Sequence, residues 1–90
     1  MFPKRLKIGG LWYKVKYLSD LTEVAGSNCS GLCAYREQIL FVNRDQAKDA
    51  LWVTLIHEII HAINTEVDER ETEYLAQAIY QVLKDNHLCF

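Results

Sequence analysis

Only one proline and four glycines interrupt this chain of 90 residues, which excludes collagen-like repeats and the Pro/Gly-rich low-complexity class. No stretch approaches the roughly 18 consecutive apolar residues of a membrane-spanning helix. The opening Met1-Phe2-Pro3-Lys4-Arg5 lacks the apolar core of a secretory signal. The expected location is the cytoplasm, with no membrane partner. Cysteine is sparse: Cys29, Cys33 and Cys89 make an odd set, which fits reduced thiols better than a disulfide framework. The pair Cys29 and Cys33 also lacks the second Cys or His pair that a cysteine-held metal requires, and little order is expected at Cys89, beside the end of the sequence. Acids are missing altogether from residues 1–17, which carry Lys4, Arg5, Lys7, Lys14 and Lys16. No recognition motif accompanies this charge, so it reads as the solvated face of a strand, and nucleic acid is not an expected partner.

What is present is half hydrophobic by count, enough for the core of one small domain spanning residues 1–90. Residues 6–8 and 11–18 alternate in polarity around Gly9-Gly10, whose freedom to take positive φ suits a two-residue hairpin turn. Residues 20–30 read as an irregular connection with a short helical turn at its start. Gly31 to Tyr35 and Gln38 to Asn43 then predict a second strand pair turning at Arg36-Glu37, with Phe41 and Val42 in the core.

From there the hydrophobic period lengthens. A helix is predicted over residues 45–64, capped by Asn43 or Asp45 and apolar on nearly every side, so buried. A second is predicted over about residues 68–85, with Thr72, Leu75, Ala76, Ile79, Val82 and Leu83 as its apolar stripe. The short link makes the two an antiparallel pair that comes together at the end carrying His61. The expected fold class is α+β, with antiparallel β-hairpins in a small sheet followed by two packed antiparallel helices.

The first of these helices contains His57-Glu58-Ile59-Ile60-His61, the pattern H-E-x-x-H. Positions i and i+4 stack on one helix face, so both imidazoles can reach one metal ion. Glu58, rotated by roughly 100° from His57, flanks the metal as a general base for an activated water. Leaving such groups unpaired on an apolar helix costs about 1–3 kcal/mol each, a penalty that Zn2+ would remove. A catalytic zinc takes three protein ligands. Stepping back along the second helix from Ala76 and Thr72 reaches Glu69, with Glu71 as the alternative. Glu73 falls nearer the outer face and Glu66 in the connection. Tyr74, Tyr80 and His87 are candidate donors to a tetrahedral intermediate, with no spacing that favours any of them.

The order of strands, then His57 to His61, then Glu69-x-x-Thr72-x-x-Leu75-Ala76 resembles the small gluzincin-type metallopeptidases, in particular the ImmA/IrrE-like group and its compact relatives in phages and prophages. The resemblance spans roughly residues 38–86. It implies cleavage of a peptide or protein substrate, held extended on strand 38–43 or its neighbour. It also implies that the third ligand precedes a Leu-Ala pair by two turns, which here favours Glu69. The helix-turn-helix domain and the longer signature of fuller members are not found in this sequence. Two other readings carry different expectations: a non-catalytic interaction module that zinc merely stabilises, and a metal-free adaptor using the basic hairpin.

Overall fold

The computed structural model describes residues 2–88 as a four-stranded sheet followed by two packed helices, the expected α+β arrangement. Strands β1 (Arg5–Ile8) and β2 (Leu11–Leu18) form the first antiparallel hairpin, and Gly9 and Gly10 close it with φ of 58° and 86°. Two consecutive positive angles are what a type I′ turn requires. A single helical turn, α1 (Thr22–Ala25), precedes the second hairpin of β3 (Gly31–Ala34) and β4 (Ile39–Asn43). The strand order is β1-β2-β4-β3, so the hairpins are joined by a parallel pairing of β2 with β4. That junction gives β4 a neighbour on each side and leaves β3 at the edge.

Alternation then sorts the sheet's side chains. Tyr13, Val15, Cys33, Leu40 and Val42 face the helices and form the core with Leu55, while Phe41 is buried on the opposite face. Full burial of Leu40, Val42 and Leu55 contributes about 1.5–3 kcal/mol each.

Helix α2 (Lys48–Ile63) starts three residues later than predicted, and the expected caps do not form. Asn43 instead accepts the Asp45 N–H on its Oδ1 and donates from Nδ2 to Asn28. These bonds commit its side chain to a turn, and Ala47 takes the cap position with no side-chain bond. The helix is also less buried than its composition suggests. Only Thr54, Leu55 and Glu58 are fully covered, because one sheet face and one helix can shield only part of its circumference.

Helix α3 (Glu69–Asp85) has the predicted start, with Asp68 accepting the Glu71 N–H at 2.8 Å. Its stripe is rotated from the predicted one. Thr72, Ala76 and Tyr80 are buried, whereas Leu75, Ile79 and Val82 are 36%, 40% and 47% exposed. The small side chains of Thr72 and Ala76 let α3 lie close against α2. The larger Leu75, Ile79 and Val82 flank that contact on its open side, and Leu83 is half-buried. No helix among the described residues is long and apolar enough to cross a membrane. Cys29 and Cys33 are free thiols, and Cys89 lies outside the described residues.

Candidate metal centre

The turn of residues 64–68 folds α3 back so that its first residue meets the last turn of α2. His57, His61 and Glu69 thereby bring one potential ligand atom each to within 4.8 Å of one another. The two Nε2 atoms are 3.0 Å apart, Glu69 Oε1 lies 3.1 Å from His57 Nε2, and it also contacts His61 Nε2. A tetrahedral metal with ligands at about 2.0–2.1 Å holds its donor atoms about 3.3 Å apart, close to the two separations from His57 Nε2, while Glu69 Oε1 and His61 Nε2 stand nearer to each other than that.

Proton placement sharpens this fit. His57 Nδ1 is 2.8 Å from Glu73 Oε1, and a carboxylate only accepts, so Nδ1 carries the proton and a neutral ring presents its Nε2 lone pair to the trio. Three electron-rich atoms then share a space that only protons or a cation can reconcile. In the metal-free chain the proton does so: burial opposes charge on His57, but hydrogen bonds to Glu69 and Glu73 overcome it and raise its pKa. Burial likewise opposes ionisation of Glu69, and its bonds to both histidines outweigh this and lower its pKa. The pKa of Glu73 is lowered chiefly by the Gln77 amide, 2.6 Å away, and further by His57.

Glu58 follows a different logic. It is 5% exposed, it projects toward β3, and burial pushes its carboxyl up to about 7, with His57 opposing the rise and the Glu69 and Glu73 carboxylates assisting it. Gly31 makes room for it. A Cβ at that position would lie 2.8 Å from Glu58 Oε2 and 2.8 Å from Thr54 Cγ2, so a side chain there would displace the carboxyl or the strand.

A cleft of about 700 Å³ opens between β3 and the helix pair, lined among others by Cys29, Gly31, Gln46, Thr54, Glu58 and Glu73. A smaller hollow continues past Gly31 and Glu58 to Cys33, Tyr35 and His61. The edge they follow belongs to β3, since β4 is hydrogen-bonded on both sides. Asn43 donates to the Ser30 carbonyl at 2.7 Å, which fixes the phase of the ladder and directs the main-chain groups of Gly31 and Cys33 off the edge. The Cys29 thiol donates to the Gly31 carbonyl at 3.4 Å.

The expected set His57, Glu58, His61 and Glu69 is thus brought together. Glu71 is not part of it; it shares an outer hollow with Arg70 and Tyr74. Glu73, expected nearer the outer face, instead reaches His57, because a step of four residues from Glu69 turns only about 40° around the helix. Tyr80 donates to Asp49 Oδ1 at 2.5 Å, Tyr74 is 69% exposed, and His87 lies 18 residues beyond Glu69 at the far end of α3. None of these three reaches the trio. Tyr35 was not a predicted site residue, and strand alternation with Cys33 is the one signal that could have placed it here. No protein-family model matches this chain, and neither does any curated protein or solved structure.

Proposed function

We propose that the chain is a zinc-dependent peptidase of the gluzincin type, acting on a peptide or protein substrate in the cytoplasm, where the thiols of Cys29 and Cys33 stay reduced. The observation that carries this reading is the convergence of His57, His61 and Glu69 on one point, with the buried carboxyl of Glu58 at the adjoining helix position. Two imidazoles and one carboxylate suit zinc better than a hard cation. Zinc held there would supply a Lewis acid that polarises the scissile carbonyl and acidifies water.

The chain's own groups do the rest. Glu58, with a carboxyl near neutrality, takes a proton from the attacking water and delivers it to the leaving amine nitrogen. Glu73 holds the His57 ring with its lone pair inward. The Tyr35 hydroxyl donates to the oxygen that gains charge as the carbonyl is attacked. An extended substrate pairs with the outward main-chain groups of Gly31 and Cys33, so that of the two expected edges, β4 and its neighbour, the neighbour β3 is used. A cleft of about 700 Å³ lies within the range of ligand pockets, about 300–1,000 Å³. That size favours catalysis over a metal that only staples the helices.

Purified protein is expected to hold stoichiometric zinc, to lose it in His61→Ala, and to cleave an unstructured protein such as casein. Glu58→Gln should lower kcat/KM by about 10²–10⁴-fold while zinc content stays unchanged. Full activity in Glu58→Gln refutes the mechanism. An inactive wild type that unfolds on chelation would make the zinc a structural staple.

A further inference from the structure

The outer face of the β1–β2 hairpin combines charge of one sign with an exposed aromatic ring. Alternation places Arg5 and Lys7 of β1 and Trp12, Lys14 and Lys16 of β2 on the face turned away from the helices, and all five are exposed. The register makes this arrangement costly. Val15 N–H bonds the Lys4 carbonyl, so Arg5 and Lys14 form a non-hydrogen-bonded pair, the closer of the two antiparallel pair types. Like charges directly opposite each other destabilise a sheet. None of these four cations forms an ion pair with a carboxylate among the described residues. Arg5 gains a contact with the Trp12 ring from the fold, whereas Lys7, Lys14 and Lys16 gain no ion pair from it, and a polyanion would supply one.

Trp12 narrows the class of polyanion. Its ring is 52% exposed, and the Arg5 guanidinium sits over it at 4.4 Å. One ring face is occupied and the ring as a whole remains open to solvent, on the same surface as the cations. Such a platform, cations tracking a backbone and an aromatic ring receiving a base, is what single-stranded nucleic acid binds. An anionic membrane fits less well. The other exposed apolar residue near the turn, Leu11, points to the opposite face of the hairpin, so Trp12 and Leu11 do not form one insertable surface. An acidic peptide would leave the stacking ring without a role. We infer that the outer face of β1–β2 binds single-stranded nucleic acid, with Arg5, Lys7, Lys14 and Lys16 on the phosphates and Trp12 stacked on a base.

The test is fluorescence anisotropy of labelled oligothymidylate and oligouridylate titrated with the full chain over about 50–200 mM salt. Four phosphate contacts predict a slope of log K against log salt of about −3, which Lys14→Gln with Lys16→Gln should roughly halve. Trp12→Ala should weaken binding about tenfold or more with little change in slope, and Trp12→Phe should restore most of it. Comparing the two oligonucleotides distinguishes DNA from RNA as the strand preferred. Circular dichroism checks that each variant keeps its fold. A slope indifferent to the two lysines, or binding indifferent to Trp12→Ala, overturns the inference. So does tighter binding of polyglutamate or phosphatidylserine vesicles than of either oligonucleotide.

Discussion

The cleft beside β3 and the outer face of β1–β2 treat charge in opposite ways. In the cleft nearly every charged group meets a counterpart: Glu69 contacts both histidines, and Glu73 contacts His57. There three donor atoms also converge on one point. On the sheet Arg5 and Lys14 stand in register with each other, and none of the four cations pairs with an acid among the described residues. On the readings proposed above, the first region would take a cation and the second a polyanion. A fold holds such local conflict only where stability elsewhere offsets it.

Glu58 gives the contrast its largest test, because it is the one cleft carboxyl without a hydrogen-bonded cation. Its pKa in the folded chain is about 7, against 4.5 for the ordinary carboxyl. A carboxyl raised in this way destabilises the fold once it ionises. The penalty is absent below about pH 4.5, grows between 4.5 and 7, and is complete above that, at roughly 3 kcal/mol. With a chelator present, urea unfolding of the wild type minus that of Glu58→Gln isolates this contribution from the histidines. The variant should gain stability relative to the wild type as pH rises through that window, and the two should differ little at its acid end. A difference independent of pH would mean that Glu58 is hydrated.

Gly31→Ala probes the same carboxyl from the strand. The added methyl meets Glu58 Oε2 and Thr54 Cγ2 at 2.8 Å and the Phe41 carbonyl at 3.0 Å, and only the carboxyl tip is free to move. The expected cost is about 1–3 kcal/mol in chemical unfolding. Glu58→Ala in the same background should recover part of it. No recovery would locate the clash at Thr54 or the backbone.

Glu73→Gln comes next. Its amide oxygen can still accept from His57 Nδ1, but the charge is gone, so zinc affinity should fall by about 10–100-fold. Restoration by Glu73→Asp would mark a positioning carboxylate. Unchanged affinity would limit Glu73 to holding α3 against α2.

The contrast also separates what the chain spells out from what it conceals. His57, Glu58, His61 and Glu69 were legible because a helix converts spacing directly into facing. Both hairpins were legible from Gly9-Gly10 and from alternation. The parallel join of β2 to β4 was not, since nothing local encodes which hairpin edges meet, so both strand 38–43 and its neighbour stayed open as the proposed substrate edge. The rotation of α3 was concealed for another reason. The rule that large aliphatic residues face inward added Leu75, Ile79 and Val82 to the stripe, while the structure keeps its Thr72 and Ala76 buried and adds Tyr80. Glu73 follows from that rotation.

The smallest expected effect reads the sheet face directly. Lys14→Glu replaces the like-charged partner of Arg5 with an opposite one in a close cross-strand pair, which should stabilise the fold by about 0.2–1 kcal/mol. The gain should shrink in about 1 M salt, where the Debye length falls to about 3 Å. Stabilisation together with weaker oligonucleotide binding would show that the wild-type face trades stability for a ligand, in keeping with a surface that selection has held against its own electrostatics. A variant no more stable than the wild type would place the two cations far enough apart for solvent to screen them, and the contrast with the cleft would lose its energetic basis.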